Sequence, residues 1–130
     1  MKPEISAVFK LFAAELALMI AQYAYGGCGV TTTDLFCFAR AFALHHERQD
    51  VVVPEVLRGL VDAAERFHAE EGRVSGAAHD RLHLAVIDAG RTFCEHNDVA
   101  DVLTRWAAGE APQRSGNATR PTDVDMRWSP

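Results

Sequence analysis

The chain has 130 residues, 18 acidic against 13 basic side chains, 48% hydrophobic residues and 24% charged ones. This describes one globular domain that can bury a core without a disulfide framework or a structural metal, and its net charge of −5 disfavours a general nucleic-acid binder. Cys28, Cys37 and Cys94 are odd in number and irregularly spaced, which points to a reducing, cytoplasmic setting.

Ile5, Phe9, Phe12, Leu16, Met19 and Tyr23 recur at alternating steps of four and three, one seam of a helix predicted over about 3–25. Pro3 suits its first turn. Lys10, Glu15 and Gln22 interrupt the apolar run, which argues against a membrane span and a cleaved signal. Gly26-Gly27-Cys28-Gly29 then releases the backbone into turns and ends the helix. Those glycines lack the Gly-Lys-Ser/Thr of a phosphate loop. Cys28 reads as a small residue in a tight connection, with no histidine beside it in sequence to act as a base.

Thr31-Thr32-Thr33-Asp34 offers capping oxygens to a second helix, whose stripe is Leu35, Phe38, Ala39, Phe42 and His46, fading near Arg48. Val51–Val53 reads as a β-branched, briefly extended link. Pro54 opens a third helix with Leu57, Leu60, Val61, Ala64, Phe67 and His68 inward, closed by Gly72. Ser75 is expected to cap a fourth helix facing inward through Leu82, Val86, Ala89, Gly90 and Phe93. Asn97 is expected to cap a short fifth through Val99, Val102, Leu103 and Trp106, stopped by Gly109. From Glu110 the composition turns to Pro, Ser, Gly, Asn, Thr and Arg, which predicts a flexible tail over 110–130. The expected fold is all-α: five helices over 1–109 in an antiparallel or orthogonal bundle.

Charge is unevenly distributed. Residues 11–46 carry only Glu15, Asp34 and Arg40, about 8% charged against 24% for the chain. The first helix adds a second apolar line, Val8, Leu11, Leu18 and Tyr25, and the second adds Phe36 and Leu44 off its stripe. That surplus predicts a homodimer paired across helices one and two. Residues 47–101 hold twelve acids against six bases, among them Glu55, Asp62, Glu65 and Glu70 on the third helix. Leu11, Leu18, Phe36, Leu44 and these four acids are therefore the candidate partner-binding residues, the acids suiting a protein with a basic groove.

Chemistry-bearing motifs are sparse. His79-Asp80-Arg81-Leu82-His83 sets two imidazoles one turn apart and resembles in outline the His-Glu-x-x-His helix of metalloproteases, but Asp80 is one methylene short of the general base. No downstream residue stands at a third-ligand spacing, so both histidines read first as packing at the rim of the core, and as metal ligands second. His45-His46-Glu47, His68-x-Glu70-Glu71 and Cys94-x-His96 are weaker still, because adjacent helical residues diverge by about 100°. The expected function is that of a non-enzymatic inhibitor or adaptor, small, acidic and helical, that occupies a partner protein's surface without a cofactor, direct nucleic-acid contact or membrane. The second reading is a helical-bundle protein that binds a metal or small ligand through its histidines, with catalysis as one form of it.

Overall fold

The computed structural model describes residues 3–26 and 29–109. Among them are five helices: α1 (Pro3–Tyr25), α2 (Thr32–Arg48), α3 (Glu55–Glu70), α4 (Gly76–His96) and α5 (Asp101–Ala107). No strand interrupts them among the described residues, so the 51–54 link is irregular chain. Gly27, Cys28 and the predicted tail over 110–130 lie outside the described residues.

α1 is the axis of the bundle, packing against α2, α4 and α5, while α3 lies against α2 and α4. Its buried side is wider than the predicted seam. Leu16 and Met19 are buried as expected and Phe9, Phe12 and Tyr23 are half-buried, but Ala13, Ala17, Ile20 and Ala21 are buried with them. Alanine carries the burial round the helix because its small side chain lets neighbouring backbones come close. At the α1–α4 crossing the same economy is sharper: a Cβ added at Gly90 would sit 2.7 Å from Cγ2 of Ile20, so a residue without a side chain is needed there.

The inner faces of the other helices follow their stripes. Leu35, Ala39, Phe42 and His46 of α2, Leu57, Leu60, Ala64 and Phe67 of α3, Val86, Gly90 and Phe93 of α4 and Leu103 of α5 are buried. His68 departs from the pattern, its ring 43% exposed at the edge of the α3 stripe. By length and composition alone the Ser6–Tyr25 stretch could cross a membrane; in the bundle its Leu16, Ala17, Ile20 and Ala21 are enclosed by the other helices.

Helix ends explain the turns. Thr31 caps α2 through a reciprocal box, its Oγ1 accepting from the Asp34 amide at 3.1 Å and Asp34 Oδ2 accepting from the Thr31 amide at 3.1 Å. Two other expected caps need correction. Ser75 occupies the N-cap position of α4 with no side-chain cap hydrogen bond. Asn97 closes α4 instead of opening α5: its Nδ2 donates to the Phe93 carbonyl at 2.8 Å, and the α5 N-cap position falls to Ala100. An asparagine can serve a helix start as acceptor or a helix end as donor, and here the Phe93 carbonyl in the last turn of the longer helix takes it.

Candidate interaction surface and histidine cluster

The two faces singled out in the sequence separate in space. Of the expected partner-binding residues, Leu11 is 71% exposed and Leu44 36%, whereas Leu18 and Phe36 are half-buried. Phe36 stacks on the His68 ring at 5.5 Å, which turns it toward α3. Leu44 is likewise directed to α3, lining an open groove of about 220 Å³ with Arg40, Ala43, Glu47, Val53, Arg58 and Val61. The apolar surplus of α2 thus faces the α2–α3 boundary, where Leu44 remains open to solvent, while Val8 and Leu11 stay on the outside of α1.

On α3, Glu55, Asp62 and Glu65 are exposed and Glu70 is half-buried. Arg58 and Arg66 share their side of the helix, so the face is mixed with an acidic excess. Among the described residues, the only ion-pair contacts within 4.0 Å involve histidine, His68 with Glu71 and His79 with Asp80. Glu55, Asp62 and Glu65 therefore keep their charge available to a partner.

Two histidine environments occupy opposite ends of the α1–α2 hairpin. At the end holding the N-terminal half of α1, His46 is buried and its Nδ1 donates to the Phe42 carbonyl at 2.9 Å. Its ring stacks on Phe9 at 4.3 Å, and His45 leans on Phe12 at 5.1 Å. This is a satisfied core histidine with its aromatic collar.

The other end is polar. The Tyr23 hydroxyl lies 3.1 Å from Thr32 Oγ1 and 2.9 Å from Nδ1 of His83, tying α1, α2 and α4 together at one oxygen. Thr33 Oγ1 meets Nδ1 of His68 at 3.0 Å, adding α3. Burial pushes the Tyr23 phenol above its ordinary value of 10.0, the Thr32 hydrogen bond works against that shift, and the Glu71 carboxylate adds to it. Phe67 packs edge-on against His79 at 5.1 Å and His83 at 6.1 Å. His83 sits at the rim of the core as the sequence suggested; His79 is 47% exposed and only borders Phe67. Sequence reasoning treated Tyr23 as the last residue of an apolar seam and missed its hydroxyl as the junction. The available signal was a tyrosine, in place of an aliphatic residue, ending that seam opposite a run of threonines.

The thiols divide cleanly. Cys37 is exposed on α2, while Cys94 is enclosed in α4, where burial first and Glu95 second push its thiol up to about 12. No group of three or more His, Cys, Asp or Glu side chains converges as a metal site among the described residues. Comparison with protein-family models, curated proteins and solved structures returned no match for this chain.

Proposed function

We propose that this protein is a non-enzymatic binding module, an inhibitor or adaptor that occupies the surface of a partner protein through its α2–α3 face. The observation that carries the reading is the open groove around Leu44, walled by Ala43, Val53 and Val61 with Arg40, Glu47 and Arg58 on its lining, on the same pair of helices as the exposed α3 carboxylates Glu55, Asp62 and Glu65. At about 220 Å³ it is smaller than the roughly 300–1,000 Å³ of small-molecule pockets. That size suits one apolar side chain of a partner, inserted between Leu44, Val53 and Val61. Glu55, Asp62 and Glu65, exposed elsewhere on α3, then meet basic residues of the same partner beyond that anchor, which sets orientation and rate of association more than affinity. The free thiols Cys37 and Cys94 support a cytoplasmic setting for this activity.

The test is recovery of partners from the native host on the intact chain, beside Leu44→Asp and a Glu55→Lys, Asp62→Lys, Glu65→Lys triple variant. The expected result is a protein retained by the wild type, released by rising salt and lost from both variants while their helicity is unchanged. Identical capture by all three would remove the α2–α3 face from consideration.

A further inference from the structure

The polar end of the bundle carries an inference independent of the docking face. His79 and His83 stand on successive turns of α4 with their rings within 10° of parallel and their centroids 6.4 Å apart. Nδ1 of His83 is hydrogen-bonded to the Tyr23 hydroxyl at 2.9 Å, whereas Nδ1 of His79 has the Asp80 carboxylate near it, Oδ1 at 3.5 Å, without a hydrogen bond. We propose that Nε2 of His79 and Nε2 of His83 together bind one divalent cation of the borderline class, zinc in the first instance, with water completing its shell.

The argument rests on the tautomer such an ion requires. An imidazole ligates through a lone pair, so a histidine binding through Nε2 must carry its proton on Nδ1, and an acceptor placed there fixes ring and tautomer together. For His79 the Asp80 carboxylate, 3.5 Å from Nδ1, favours a proton on that nitrogen electrostatically but does not hold it by a hydrogen bond. For His83 the acceptor is the Tyr23 oxygen, which can take the Nδ1 hydrogen because its own O–H has Thr32 Oγ1 at 3.1 Å to donate to. Zinc–nitrogen bonds of about 2.0–2.1 Å draw the two rings closer than they now stand. His83, anchored by Tyr23 and bordered by Phe67, is the fixed ligand, and His79, with a side chain 47% exposed, is the one free to swing in. Two protein ligands with no third converging among the described residues make an open, exchangeable site rather than a structural one.

The experiment is a zinc chloride titration of the reduced, untagged full chain, followed by calorimetry and by imidazole nitrogen resonances. The expected result is one ion per chain, with His83 and His79 shifting at Nε2 while their Nδ1 hydrogens persist. His79→Gln, a change at an exposed position that leaves the fold intact by circular dichroism, is expected to lower affinity at least tenfold, as is His83→Gln. Tyr23→Phe is expected to lower affinity about tenfold and to reduce the Nδ1–H tautomer of His83 while sparing that of His79. A purely structural tyrosine would not redistribute that proton. Zinc uptake that survives both histidine variants, follows a Cys37→Ser variant instead, or is not detected with zinc in large excess over protein overturns the proposal.

Discussion

Asp50 and Asp98 both adopt left-handed backbone, at φ of 56° and 59°, immediately past the ends of α2 and α4. Each sits in a closing turn where the following amide reaches back to the helix, Val51 to the His46 carbonyl and Val99 to the Cys94 carbonyl, both at 2.9 Å. Aspartate tolerates this conformation better than most residues, yet it retains a steric cost of about 1–2 kcal/mol that glycine lacks. Part of that gain is offset by glycine's greater freedom in the unfolded chain, so Asp50→Gly and Asp98→Gly should each raise stability by about 0.5–1 kcal/mol, measured by urea midpoints. The cysteines give a second residue-scale expectation. With its thiol enclosed and pushed up to about 12, Cys94 should resist iodoacetamide at pH 8 and label only in denaturant, while exposed Cys37 labels in the native protein; peptide mass mapping reads both. Tyr23 supplies a third. Its phenol is raised above 10.0, so the folded protein keeps a proton that the unfolded chain releases, and the stability this contributes is complete below pH 10 and is lost as pH rises through the folded value. Tyr23→Phe should therefore flatten the fall of melting temperature above pH 10, leaving the part that Cys94 contributes from pH 9 upward.

Between elements, the tightest junction is Gly90 of α4 beneath Ile20 of α1. Gly90→Ala places a carbon 2.7 Å from Cγ2 of Ile20 and should cost about 1–3 kcal/mol despite alanine's better helix propensity. Ile20→Ala removes the Cγ2 and Cγ1 atoms that crowd this position, so a double-mutant cycle of Gly90→Ala with Ile20→Ala in urea reports how rigid the crossing is, the coupling being large only if the two helices cannot slide apart. The helices themselves were legible because apolar side chains recur at helical spacing and because Thr31 and Asp34 form a box readable in four letters. The inward rotation of α1 was harder to see, since Ala13, Ala17 and Ala21 score as featureless although their small size decides which side neighbours can approach. Asn97 was misassigned because an amide can cap either end of a helix, and only the fold shows which end is beside it. The histidines at the polar end were legible as a pair on α4, but Tyr23, the partner of His83, is 60 positions away and is brought there by packing alone.

For the molecule as a whole, the decisive question is what covers the outer side of α1. Of the apolar surplus of α2, Phe36 stacks on His68 and Leu44 faces the groove beside α3, so the two-fold interface is proposed on α1 itself. Val8 is 37% exposed and Leu11, one turn on, 71%, with Leu18 half-buried and Tyr25 40% exposed further along the same helix. A two-fold pairing of this line would meet an identical apolar patch, with Glu15 between Leu11 and Leu18 and the Arg91 guanidinium at Tyr25, which is the reason for proposing a homodimer. Leu11→Glu tests it better than a change at Leu18. A carboxylate at a position already 71% exposed leaves the monomer's core untouched, whereas one at half-buried Leu18 would lower stability for reasons unrelated to association. Sedimentation equilibrium at micromolar concentration should show a wild-type dimer and a Leu11→Glu monomer with the same melting transition extrapolated to low concentration. A wild type that remains monomeric at every concentration would eliminate the pairing and leave α1 simply as the axis of a five-helix bundle, with its outer leucine in water.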